Sequence, residues 1–214
     1  MSSLELPKLY AITDARLSGR THAEQVARLV EGGARLIQLR EKHLSPREFC
    51  REAEAALKVA RDAGATLVVN DRVDIALVVG ADGVHLGQDD LSPEHARSLL
   101  GRAAVVGYST HNVAQATEAA RLPVTYVAIG PVFDTTSKEN PEQTIGLEGV
   151  RRARAVVGAT PLVAIGGITL ENAASVLEAG ADCVAVIGAL VAPARDPADI
   201  TRRTREMLAS LSLH

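Results

Sequence analysis

Aromatic side chains are almost missing from this chain: there is no tryptophan, and Phe, Tyr and Trp together make up 2% of 214 residues. That excludes an aromatic-rich β-sandwich core and leaves Val, Leu, Ile and Ala to fill the interior, as in repetitive α/β scaffolds. Cysteine is nearly as scarce. Cys50 and Cys183 stand far apart without metal-ligand spacing, one in a helical stretch and one opening an apolar strand, so free thiols are expected. At a formal net charge of −3 there is no long basic run, which argues against nucleic acid as a partner. The amino-terminal segment lacks a basic stretch leading into an apolar one, and no apolar run reaches membrane-spanning length. The expectation is a cytoplasmic, soluble protein without a membrane partner. No Pro/Gly/Ser-rich linker divides the sequence, so one domain over residues 1–214 is expected.

What is present is a repeated unit: a short Val/Ile/Leu run, a polar turn, a helical pattern and often a glycine. The runs are KLYAIT (8–13), LIQLR (36–40), TLVVN (66–70), GVHLG (83–87), AVVGYST (104–110), YVAIGPV (126–132), PLVAIGG (161–167) and CVAVIGAL (183–190). Nearly continuous apolar runs are the mark of parallel strands buried on both faces. Ser45-Pro46 and Ser92-Pro93 read as an N-cap followed by proline at the first helical position. Gly33, Gly64 and Gly180 read as glycines closing their helices. Eight strand–helix units predict an α/β fold, a single (β/α)8 TIM barrel. A doubly wound open sheet is the runner-up, weakened because no G-x-G-x-x-G follows the first strand.

In a barrel, function collects at the carboxyl ends of the strands. The second strand ends with Gln38 and Arg40 on one face and Lys42 just beyond, a cationic wall suited to phosphate. Asn70 and Asp71 end the third; Asp71 reads either as a helix N-cap or as a metal ligand. Asp89 and Asp90 follow the adjacent fourth strand, and two carboxylates facing cations suggest a hard divalent ion, Mg2+. Ser109 faces the pocket from the fifth, where Ser109, Thr110 or His111 is expected to cap the next helix. His85 and His111 are given little catalytic weight, since a lone strand histidine is more often structural. The sixth strand runs into the polar segment FDTTSKEN, and Gly166-Gly167 and Gly188 follow strands seven and eight. Glycines there suit a monophosphate held by backbone N–H groups.

The phrases LYAITD, IQLREK, VNDRVDIAL, GADGVHLGQDDL, GYSTHN, AIGPVFDTTSK, VAIGGIT and AGADCVAVIGAL fall in order along nearly the whole chain, which resembles the thiamine-phosphate synthase family. The resemblance implies a (β/α)8 barrel and a Mg2+-dependent transferase. Its two small-molecule substrates would be 4-amino-2-methyl-5-(diphosphooxymethyl)pyrimidine and 4-methyl-5-(2-phosphooxyethyl)thiazole. Carried over by motif, Gln38, Leu39, Arg40, Glu41 and Lys42 bind the pyrimidine diphosphate, with Asn70 and Ser109. Asp71 and Asp90 are the metal ligands, Asp90 rather than Asp89. Thr135, Thr136 and Ser137 serve the thiazole phosphate, Lys138 the diphosphate, and Gly167, Ile187 and Gly188 the thiazole phosphate through their backbone. Arg40, Lys42 and Lys138 would stabilise the departing diphosphate. A homo-oligomer is left open. Three positions depart from the family pattern: Asp134, Ser137 and Gly188 stand where Pro, Thr and Ser are usual. Thiazole tautomerase, an isomerase on the same barrel, and a non-catalytic phosphate-metabolite barrel are the rivals. The retained Asp71 and Asp90, and Pro131 after Gly130, count against the first.

Overall fold

A parallel strand followed by a helix repeats around a closed ring. The computed structural model describes residues 6–135, 142–193 and 196–212. Its elements are β1 (Leu9–Asp14), α1 (Ala15–Ser18), α2 (His22–Glu31), β2 (Leu36–Arg40), α3 (Pro46–Asp62), β3 (Thr66–Asn70), α4 (Val73–Val79), β4 (Gly83–Leu86) and α5 (Pro93–Leu100). Then come β5 (Val105–Thr110), α6 (Val113–Ala119), β6 (Tyr126–Ile129), α7 (Gly146–Val157), β7 (Leu162–Ile165), α8 (Ala173–Glu178), β8 (Cys183–Val186), α9 (Gly188–Val191) and α10 (Ala198–Leu211). Each strand pairs in parallel with the next, and β8 pairs with β1, from Leu9 opposite Val184 to Ala11 opposite Val186. The ring is therefore a (β/α)8 barrel, and the open-sheet reading falls.

Alternation along each strand creates two apolar compartments. Side chains of one parity point into the barrel, where Tyr10, Ile12, Leu36, Val68, Tyr126, Val163 and Cys183 form a small inner core. Those of the other parity, such as Leu9, Ile37, Leu39, Leu67, Val84 and Val127, join helix residues in a larger core between sheet and helices. Cys183 is a buried free thiol and Cys50 a half-buried one.

The local signals are realised with a few differences. Ser45 and Ser92 cap α3 and α5, each followed by Pro, and Gly33, Gly64 and Gly180 take positive φ after their helices. The helix after β5 is capped by Asn112, whose side chain accepts from Gln115 N–H, and not by one of the three preceding residues. Asp71 is no N-cap either: Arg72 holds that position in α4, and Asp71 adopts φ 61. β6 ends at Ile129, since Pro131 has no N–H to continue a ladder. The segment after β8 folds as the one-turn helix α9 instead of prolonging the strand. No described helix is long and apolar enough to cross a membrane.

Candidate active site

The carboxyl ends of the strands surround a cavity of about 670 Å³, large enough for two small heterocycles. Gln38, Arg40 and Lys42 line it from β2 and its loop, as strand alternation predicts. The intervening Leu39 and Glu41 do not. Leu39 is fully buried in the outer core, and the Glu41 carboxylate lies 3.2 Å from His22 Nε2 while accepting from the N–H groups of His43 and Leu44. As side chains, these two members of the expected substrate set face away from the pocket, because their parity is the opposite one.

Both described cations of the wall are paired with acids. Arg40 donates to Asp14 Oδ2 at 2.6 Å, and Asp14 also caps α1 by accepting from Leu17 N–H. Lys42 Nζ donates to Asp71 Oδ2. Asp71 is steered there by its left-handed backbone and by an N–H bond to the carbonyl of His85 on β4 (2.8 Å). Asp90 accepts from Gly87 N–H at 2.7 Å. Burial first, and then the neighbouring Asp71 carboxylate, raises the Asp90 pKa above the usual range, against the opposing pulls of Gly87 N–H and Lys42. Of the two candidate acids after β4, both line the cavity, and Asp90 is the one electrostatically joined to Asp71. Asn70 is buried at the end of β3 and lines the same wall.

This donor set fits Mg2+. Burial and a second carboxylate beside it disfavour the charged form of Asp90, and a divalent cation between the two acids relieves that. Among the described residues no group of three or more His, Cys, Asp or Glu comes together, so the protein would supply these two oxygens groups and leave the remaining positions to phosphate and water.

On the opposite side, Gly166, Gly167, Ile187 and Gly188 line the cavity with Thr135. Gly166 has φ 106 and Gly167 has φ 63. A Cβ on Gly167 would lie 2.4 Å from the carbonyl oxygen of Asp134, and one on Gly166 would lie 2.5 Å from Pro131 Cα. The paired glycines are thus demanded first by the loop after β6, which packs on them. The exposed Asp134 contributes its main chain to that contact. Thr136, Ser137 and Lys138 lie outside the described residues.

A family model described as thiamine monophosphate synthase matches residues 9–190. The chain belongs to the thiamine monophosphate synthase family. A thiamine-phosphate synthase of Chloroflexus aurantiacus is 45% identical over 207 residues, 96% of this chain and 93% of the relative. One from Koribacter versatilis is 48% identical over 202 residues, 92% and 95% of the two chains. The solved structure of thiamine phosphate pyrophosphorylase from Pyrococcus furiosus shares 37% identity and a TM-score of 0.86 over 96% of each chain.

Within this synthase-family barrel, two supporting groups escaped the sequence reading. Asp14, present in the quoted phrase LYAITD, orients Arg40, and buried His22 anchors Glu41. His22 Nδ1 also lies 2.7 Å from Thr13 Oγ1 on β1, so the loop bearing Lys42 is tied to β1 and α2. Burial opposes the charged form of Glu41, but the N–H groups of His43 and Leu44 and the His22 ring outweigh it and lower its pKa. Glu41→Ala should therefore reduce kcat/KM about tenfold through the displaced loop, with Glu41→Gln losing less; steady-state kinetics beside a thermal melt separate this from unfolding.

Proposed function

We propose that this enzyme is a transferase that joins 4-amino-2-methyl-5-(diphosphooxymethyl)pyrimidine to 4-methyl-5-(2-phosphooxyethyl)thiazole, giving thiamine phosphate and diphosphate. The observation that carries the reading is the Lys42–Asp71–Asp90 cluster beside Arg40, facing a glycine-lined wall across one cavity. One side suits a diphosphate with its metal and the other a monophosphate.

The thiazole nitrogen is itself the nucleophile, so no protein nucleophile or general base is required. The barrier lies in parting the pyrimidine methylene carbon from diphosphate, and an electron-rich aminopyrimidine can carry the cation left behind. Arg40 and Lys42 stabilise negative charge as it gathers on the leaving group. Asp71 and Asp90 would hold Mg2+, which when bound supplies Lewis-acid stabilisation of that charge. By the family motif, Lys138 adds a further cation, and Thr135, Thr136 and Ser137 hydrogen-bond the thiazole phosphate. The amides of Gly188 and Ala189, in the first turn of α9, have no intrahelical acceptor and so remain available to the same phosphate. Gln38, Asn70 and Ser109 orient the pyrimidine. Holding two reactants this way converts a bimolecular encounter into an oriented one.

Incubation of the protein with both substrates and Mg2+, with and without chelator, tests the assignment. Thiamine phosphate and diphosphate should appear in equal amounts, and chelation should abolish both. Conversion of a thiazole substrate alone, without diphosphate release, would overturn the reading in favour of an isomerase.

A further inference from the structure

The chain changes neighbours at Gly130. Up to that residue it pairs with β5: Thr110 Oγ1 donates to Ala128 O at 2.8 Å, and Gly130 N–H donates to Thr110 O at 3.1 Å. From Val132 onward it turns to the carboxyl end of β7, where the carbonyls of Ile165 and Gly166 accept from Val132 and Phe133 N–H at 2.9 and 3.0 Å. The returning chain closes the loop's root, Ile145 N–H donating to Pro131 O and Gly146 N–H to Val132 O.

Between the two registers stands the carbonyl of Gly130, a buried residue. In a parallel ladder a residue donates to one partner and accepts from the residue two further along. Gly130 donates to Thr110, so its acceptor is due the N–H of Asn112. Asn112 has instead turned to cap α6, and Pro131 has no N–H to offer. The donor comes from a side chain: His111 Nδ1 lies 2.9 Å from Gly130 O. A carbonyl only accepts, so Nδ1 carries a hydrogen whichever state the other ring nitrogen takes. The other side of Gly130 is closed, because a Cβ there would lie 2.1 Å from Ile165 O. His111 is itself held from α6, its N–H donating to Gln115 Oε1 at 2.7 Å. His111, Gln115, Gly130, Pro131 and Thr135 all line the cavity.

We propose that His111 is a positioning residue for the thiazole phosphate: it clamps the Gly130 carbonyl and so fixes the direction in which the loop after β6 leaves the barrel. The carbonyl of Gly130 and the ring nitrogen of Pro131 share one rigid peptide plane, so a carbonyl that swings toward another donor carries the loop with it. The inference rests on the function proposed above, which assigns that loop to the thiazole phosphate, and adds to it the group that holds the loop's root. The diphosphate side is built mainly on β2, β3 and the loop after β4, which do not hang on this peptide.

Asparagine and glutamine separate the two ring nitrogens. Asn carries its amide nitrogen where the ring has Nδ1, whereas Gln carries it one atom further out, near Nε2. His111→Ala should raise KM for the thiazole phosphate about tenfold while KM for the pyrimidine diphosphate stays within about threefold. His111→Asn should recover most of that loss and His111→Gln little of it. Recovery by Gln and not by Asn would overturn the clamp in favour of a direct contact from Nε2. A His111→Ala variant that melts earlier with both KM values unmoved overturns it too. The wild-type protein supplies a measurement independent of any variant. In 15N spectra, His111 Nδ1 should carry a hydrogen at every pH at which the barrel is folded, and a bare Nδ1 overturns the proposal. If the wild-type protein makes no thiamine phosphate, the functional reading fails while the Nδ1 signal still decides the clamp. An active protein whose Asn and Ala variants behave alike overturns only the clamp.

Discussion

Asp71→Asn should lower kcat/KM at least a hundredfold while leaving the barrel folded. Asparagine is the conservative choice because the residue sits at φ 61, a left-handed conformation that Asn tolerates and other side chains resist. Backbone strain is thereby held constant, as is the N–H bond to the His85 carbonyl. What changes is charge. The amide offers the Lys42 ammonium only a neutral acceptor in place of the Asp71 carboxylate, and it is a weaker ligand than a carboxylate for a hard cation. Loss of one charge-stabilising contact at a leaving group costs about 100- to 1,000-fold where such contacts have been removed in other enzymes. Diphosphate release measured across a Mg2+ titration, with a thermal melt in parallel, checks both halves. Near-normal turnover at ordinary Mg2+ would remove Asp71 from the metal site.

The second large effect is expected from Gly167→Ala. Alanine at φ 63 costs about 1–2 kcal/mol in conformational strain alone. Its methyl would also lie 2.4 Å from Asp134 O and 2.7 Å from Phe133 Cβ, and main chain cannot rotate aside. Overpacking of that kind adds about 1–3 kcal/mol. For a chain of this size the sum lowers Tm by roughly 5–15 °C. Because the obstruction displaces the loop after β6, KM for the thiazole phosphate should rise about tenfold or more, with the pyrimidine KM little changed. Gly64→Ala is the matched control: its φ is 66, but nothing lies within 4 Å of the added methyl, so it carries the strain without the collision. Equal losses in both variants would show that loop contact is unimportant.

The barrel was legible because its signal is redundant. Eight apolar runs, each with its helix, repeat one message, and errors of two or three residues at a strand end do not alter it. LIQLR and TLVVN coincide with β2 and β3 in full. The wall of Gln38, Arg40 and Lys42 followed from alternation, a local rule that needs no knowledge of neighbours. Hidden from the sequence were relations between distant residues. Nothing near Arg40 in the chain announces Asp14 as its partner, and Glu41 looks like one more polar loop residue until buried His22 is brought against it. The paired glycines suggest an anion cradle in the sequence, yet the close approach of Pro131, Phe133 and Asp134 explains them before any ligand is considered. Likewise His85, set aside as a structural strand histidine, is structural in a specific sense: it links two residues of the cavity floor through Tyr126.

The seam between β1 and β8 has a consequence for how the protein comes into being. Synthesis delivers the cationic wall of β2 second among the strands, but the strand that closes the ring, Cys183–Val186, and the Ile187-Gly188 turn after it come eighth. Until they have left the ribosome, β1 has an open edge along Leu9–Ala11, and the two halves of the cavity cannot face one another. A growing chain of this protein therefore has no competent pocket until all eight strands have been made, however early its cationic wall is delivered.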